Sequence, residues 1–199
     1  VRSAGNGLVH DPDGLSILAA MVEQPLTHLD PLGRARMVDV TQKEVSARRA
    51  TARGRVLMTP ETTALIARGE VSKGDVLAVA RVAGIQAAKR TSDLIPLCHP
   101  VGIGGILINF RIDDAWVEVE ARVETVDRTG VEMEALTAVS VACLTIYDMC
   151  KSVDRAMTLG EITLWEKTGG RSGAYRRQGD EVGEGRDGPG SSGSAIFDR

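Results

Sequence analysis

Two stretches of the chain alternate strictly between apolar and polar residues. Val117, Val119, Ala121 and Val123 are separated by Glu118, Glu120 and Arg122, with Glu124 following, which is the period of a strand with one buried face. Ile106, Ile108, Phe110 and Ile112 repeat the pattern just upstream. Asp113-Asp114-Ala115 between them suits a short hairpin connection. Residues 50–58 and 162–165 are two further strand candidates. One-faced alternation fits an antiparallel sheet covered on one side. Helical patterns fill the gaps. Thr59-Pro60-Glu61 reads as an N-cap followed by Pro at the first helical position, and Gly69 as a stop. Ser72 opens a second helix predicted over 73–89. The longest helix is predicted over 130–153, and its 139–149 stretch is apolar nearly all round, so it should be deeply buried. The order strand, two helices, hairpin, helix, strand predicts an α+β, ferredoxin-like fold: an antiparallel sheet with helices packed on one face.

The ends depart from this pattern. Residues 1–25 show no sustained period and read as an N-terminal extension. Residues 176–199 are rich in Gly, Ser, Asp and Glu and read as a disordered tail. A single domain is therefore expected over 26–175, with no internal repeat. Composition narrows the function. A chain that is 43% apolar and 26% charged is ordinary for a globular protein. No stretch reads as a membrane-spanning run of ~18 uncharged apolar residues, and the first twenty residues make no convincing signal peptide. With 3% aromatic residues and a net charge of −3, binding to nucleic acid is not expected. The three Cys lack C-x-x-C spacing, as expected of reduced thiols in the cytoplasm. The three His are too scattered for a clustered zinc site.

Charged and reactive side chains that interrupt the pattern mark where chemistry can sit. Lys73-Gly74-Asp75 opens the second predicted helix, where a lysine opposes the positive end of the helix dipole. It is either a solvated residue beside a dipole-complementing Asp75 or a ligand for an anion. Lys89 and Arg90 close the same helix, where cations are favourable without any ligand. The run Leu94-Ile95-Pro96-Leu97-Cys98-His99-Pro100 is apolar but carries two prolines, so it is neither regular helix nor central strand. Cys98 and His99 then point to opposite sides, which disfavours a Cys–His nucleophile pair. His99 alone reads either as a structural residue or as a catalyst.

The long helix retains Glu132, Glu134, Asp148 and Lys151. Asp148 and Lys151 share a face. They form either a surface ion pair worth under ~1 kcal/mol or an acid/base pair. Glu132 and Glu134 point to different faces, so at most one readily joins a given pocket. Glu134 and Asp148 are separated by about 21 Å of helix. One site that used both ends would draw helices from two subunits. Finally, Lys167-Thr168-Gly169-Gly170-Arg171-Ser172-Gly173 joins cations to a Gly-rich backbone capable of forming an anion nest, without P-loop spacing.

Several of these stretches, taken in register, resemble one family. They are M-V-D-V from Met37, K-G-D from Lys73, A-G-I-Q-A-A-K-R-T from Ala83, D-L-I-P-L-C-H-P from Asp93, T-G-V-E-M-E-A-L-T-A from Thr129, L-T-I-Y-D-M-C-K from Leu144 and the closing K-T-G-G-R-S-G. The set is similar to the molybdenum cofactor biosynthesis protein C family, the cyclic pyranopterin monophosphate synthases. The resemblance implies a lyase that converts 3′,8-cyclo-7,8-dihydro-GTP into cyclic pyranopterin monophosphate and pyrophosphate. It implies Asp148 as catalytic acid/base, with Lys151 and Lys73 taking part in the chemistry. Leu97, Cys98, His99, Met133 and Glu134 match substrate-contacting positions, and Glu132 is placed with them. Lys89, Lys167 and Arg48 match cationic positions around the ring and phosphates. It further implies a ferredoxin-like homohexamer, a trimer of dimers with the site at the dimer interface.

Proton transfers need groups poised near neutrality, so Lys73 or Lys151 is expected to be tuned downward by neighbouring cations or burial. Mg²⁺ is a chemically suitable phosphate partner, but no carboxylate cluster marks a site for it, and no metal ligand or other cofactor is assigned. Two other readings compete. A non-catalytic oligomeric nucleotide-binding scaffold predicts damage at Lys73, Asp148 or Lys151, and all three are intact. A lysine Schiff-base lyase wants one Lys in an apolar pocket, whereas several cations gather here.

Overall fold

The strictly alternating segments pair as the hairpin they predict. β2 (Ile103–Ile112) and β3 (Trp116–Asp127) are antiparallel, with Phe110 opposite Val119 and Ile108 opposite Ala121. The computed structural model describes residues 32–178. The chain divides between Val38 and Asp39, and every strand and helix named here belongs to the second unit. The expected extension over 1–25, and all but the first residues of the expected tail over 176–199, lie outside the described residues. The remaining elements are β1 (Ser46–Leu57), α1 (Pro60–Arg68), α2 (Val76–Ala88), α3 (Thr91–Leu94), α4 (Glu132–Cys150), β4 (Thr158–Thr168) and β5 (Tyr175–Arg176). The sheet order is β2-β3-β1-β4-β5, antiparallel throughout. With helices packed on this sheet, the fold is α+β and ferredoxin-like, as the sequence predicts.

Register is written in charge as well as in hydrophobicity. Arg49, Arg53 and Arg55 of β1 stand opposite Glu124, Glu120 and Glu118 of β3, each as an ion pair. Cross-strand pairs of opposite charge favour this alignment, and a one-residue slip would turn Val117, Val119 and Val123 outward. Ala50, Ala52, Val56, Val117, Val119, Ala121 and Val123 point the other way and are fully buried. Onto them packs α4, whose Ala135, Ala138, Val139, Ala142, Cys143 and Ile146 are also fully buried. By length and apolarity alone α4 matches a membrane-crossing helix, a resemblance the sequence reading did not anticipate. In the fold it is the core helix of the sheet.

The starts of two helices differ from expectation. α2 starts at Val76, not at Lys73, because Gly74 adopts φ +99°, which a helix cannot continue. Asp75 is its N-cap, and the Asp75 carboxylate accepts a hydrogen bond from the Ala78 amide at 3.0 Å. α4 starts at Glu132, two residues later than predicted. α3 and β5 are too short to show a period. α2 runs antiparallel to α4 and very close to it. A Cβ on Gly84 would stand 2.6 Å from Ile108 Cδ1 and 3.0 Å from the Ala138 carbonyl.

Gly84→Val is expected to lower the unfolding free energy by about 2 kcal/mol, in the range for overpacking a close-packed core. Urea unfolding checks this. An unchanged midpoint would mean that α2 and α4 are not in such close contact.

Candidate active site

The candidate residues gather at the two ends of α4. At its C-terminal end Asp148 occupies the last turn, where a carboxylate is disfavoured by the negative end of the helix dipole. Two lysines offset this. Lys151, three residues on, places Nζ 2.7 Å from Asp148 Oδ1. Lys73 reaches in from the turn before α2, donating to Asp148 Oδ2 at 3.0 Å and to the Asp148 main-chain carbonyl at 2.7 Å. That carbonyl is one of those a helix leaves without an internal partner at its end. Lys73 is therefore misplaced for the dipole of its own helix and well placed for that of α4. The ammonium groups of Lys151 and then Lys73 hold the Asp148 carboxyl below its ordinary range. Asp148 in turn raises Lys151. This corrects the expectation for Lys151: within one chain it is tuned upward, because its nearest charge is a carboxylate and it is not buried. The three side chains remain 40%, 56% and 51% exposed in the order Lys73, Asp148, Lys151.

At the N-terminal end Glu132 and Glu134 fall in the first turn, where acidic residues complement the dipole. They diverge as predicted. Glu132 pairs with Lys167 at 3.1 Å, and Lys167 also donates to Ser172 Oγ at 2.9 Å. Glu134 turns inward and is only 2% exposed. Its Oε1 accepts a weak contact from the Cys98 thiol at 3.7 Å, and its Oε2 is buried with no hydrogen-bond partner. Burial raises the Glu134 carboxyl above its ordinary range. Burial, then the charge of Glu134, pushes the Cys98 thiol up to about 11, so Cys98 is a thiol and no nucleophile near neutrality. The irregular segment carrying Leu97, Cys98 and His99 is pinned where Thr125 Oγ1 donates to the Gly102 carbonyl at 2.6 Å.

The structure thus gathers the predicted residues into two groups. Lys73, Asp148 and Lys151 form one. Glu132, Glu134, Cys98 and Lys167 form the other, with Leu97, His99 and Met133 adjacent in sequence. Arg48 joins the second group through the turn after β4, where Gly170 packs against its guanidinium. The antiparallel course of α2 carries Lys89, its C-cap, toward that same end. The two groups are about 21 Å apart along α4. The open groove between α2, α3 and α4 is lined by Gln86, Arg90, Asp93 and Leu94, among others, and Arg90 is the one cation singled out from the sequence that the described lining contains. Ser172, and Gly170 as an Arg48 contact, were not singled out from the sequence; the Gly-rich spacing flagged the segment but not what it touches. Among the described residues no three or more His, Cys, Asp or Glu are grouped as metal ligands.

Glu134 makes a specific statement about pH. A folded-state pKa above the unfolded one means that ionisation opposes folding. Stability from this group is complete below the unfolded value, about 4.3, and is lost as pH rises through the raised folded value. The urea midpoint of Glu134→Gln is expected to decline less than wild type across that rise. Equal declines would contradict a buried carboxyl with one oxygen lacking a partner.

The family model described as the MoaC family matches residues 37–170. The chain is 62% identical over 159 residues to a protein of Thermomicrobium roseum named cyclic pyranopterin monophosphate synthase, covering 79% of this chain and 96% of that one. It is 60% identical to a protein of the same name from Heliobacterium modesticaldum, covering 77% of this chain and 98% of that one. It is 60% identical to cyclic pyranopterin monophosphate synthase 3 of Mycobacterium tuberculosis H37Rv, covering 79% and 89% respectively. A chain that matches the family model over most of its length, and such relatives almost end to end, belongs to the MoaC family.

Proposed function

We propose that this chain is a cyclic pyranopterin monophosphate synthase of molybdenum cofactor biosynthesis. It is a lyase converting (8S)-3′,8-cyclo-7,8-dihydroguanosine 5′-triphosphate into cyclic pyranopterin monophosphate and pyrophosphate. The observation that carries this reading is the convergence of Lys73 and Lys151 on Asp148 at the exposed end of α4, in a chain 62% identical to a synthase of that name. The catalytic domain spans 26–175, with extensions on either side. The working assembly is a homohexamer, a trimer of dimers, with each site at a dimer interface. The enzyme works in the cytoplasm, where a GTP-derived precursor is available.

The residue types suit the chemistry. The reaction opens a ring C–N bond, closes the pterin ring and forms a cyclic phosphate as pyrophosphate leaves. Lys73 and Lys151 stabilise the charge that develops on that leaving group. Paired with Asp148 as the structure shows them, they also suppress its basicity. A bound triphosphate draws the ammonium groups toward itself, which restores basicity to the carboxylate and frees it to move a proton. Across the interface, Glu134 offers the purine-derived ring a buried carboxyl with an open oxygen, beside Cys98, His99, Leu97, Met133 and Glu132. Lys167, Arg48 and Lys89 hold the remaining charge of the substrate. Joining the two groups through a second copy also covers the exposed Lys73, Asp148 and Lys151, so water is excluded only in the assembly.

Asp148→Asn, Lys73→Ala and Lys151→Ala are each expected to reduce product formation by at least ~10²-fold, the usual contribution of a positioned proton donor or acceptor, with unchanged circular dichroism. The assay supplies fresh cyclised precursor and reads the fluorescent pterin formed when the product is oxidised. Full activity of Asp148→Asn would refute its role.

A further inference from the structure

β4 ends at Thr168, opposite Arg49 of β1, and the chain then turns through three glycines at positive φ. The three positions face very different surroundings. A Cβ on Gly169 (φ +88°) would collide with the main-chain carbonyl of Ala47 and lie 3.2 Å from Arg48 Cα. Its absence lets the end of β4 lie against β1. A Cβ on Gly170 (φ +77°) would overlap Arg48 Nη1 and lie 3.2 Å from Cζ and 3.7 Å from Nη2. All three of these atoms belong to one guanidinium. Gly173 (φ +68°) has nothing within 4 Å. Arg48 is fixed from the other side as well, since its Nε donates to the Asp127 carbonyl at 2.9 Å. A guanidinium with its Nε committed and its fork packed against a glycine has a set orientation. The same turn supplies Ser172, which holds Lys167.

We infer that Gly170 is a positioning residue, whose missing side chain makes the slot that aims the Arg48 guanidinium at the phosphates of the substrate. This deepens the proposed function and rests on it for the identity of the substrate. The planar fork of an arginine matches phosphate oxygens bidentately, and that match depends on orientation as well as charge. Gly170→Ala pushes against the mobile end of a side chain, so it turns the guanidinium away at little cost to the fold beyond backbone strain. Gly169→Ala pushes against main chain and damages the fold itself.

The test compares variants of the full chain in two assays, steady-state turnover of the cyclised precursor and calorimetric binding of inorganic pyrophosphate. Gly170→Ala is expected to raise KM and weaken pyrophosphate binding by about tenfold, as for loss of one charged hydrogen bond, with kcat within about twofold. Gly173→Ala imposes the same left-handed strain in empty surroundings and should change neither value by more than about twofold. In an Arg48→Ala background, Gly170→Ala should add no further loss of pyrophosphate affinity. Equal effects of Gly170→Ala and Gly173→Ala, or an undiminished effect of Gly170→Ala without Arg48, would overturn the inference. So would a folded Arg48→Ala variant that binds pyrophosphate like wild type, however well Gly170→Ala itself folds. A wild-type chain that makes no pterin would instead sink the proposed function and leave the pyrophosphate comparison readable.

Discussion

A buried helix holds its two ends at a fixed separation, and in this fold that separation governs everything chemical. The 19 residues of α4 lie across β1, β3 and β4 with an apolar middle that tolerates no charge. Charged side chains are therefore confined to the first turn and the last. One end collects cations around Asp148, and the other collects Glu132, Glu134 and their partners. A rigid rod cannot bring its own ends together. If both serve one small substrate, as the proposed function requires, a second copy must supply one of them.

The helix termini also account for the choice of residues. Carbonyls without partners at the C-terminal end attract ammonium groups, and Lys73 takes one of those carbonyls while sharing the Asp148 carboxylate with Lys151. Elements far apart in sequence are thereby tied into one electrostatic unit. At the other end the dipole favours acidic residues, but burial works against the inward one, which leaves Glu134 raised and with an open oxygen. The same kind of side chain is thus held ionised at one end of the helix and pushed toward neutrality at the other. Pairing decides the first case and desolvation the second. The Gly-rich turn adds a third kind of control, in which the absence of a side chain shapes the slot for a cation.

Much of this was legible in the sequence, for reasons that can be named. The alternation in β2 and β3 carried strand and facing together, because one buried face forces period two. The divergence of Glu132 and Glu134 and the contact of Asp148 with Lys151 followed from helical geometry alone. Other features depend on tertiary contacts that no local pattern encodes. Lys73 had no rationale within its own helix, because its partner lies 75 positions away. The start of α2 shifted because a left-handed glycine precedes its cap. The Lys151 shift went opposite to expectation because pairing, not desolvation, dominates at an exposed position. Ser172 and Gly170 acquire meaning only once β4 lies beside β1.

The most direct test of the central claim is complementation between subunits. Asp148→Asn impairs one end of α4, and His99→Ala impairs the segment beside the other. Each variant should be inactive alone. When the two are mixed, dissociated and reassembled, sites that draw their two halves from different chains should recover roughly a quarter of wild-type activity, the share expected from random pairing in a symmetric dimer. Mixed assemblies that form but stay inactive would contradict a site divided between two copies of the helix.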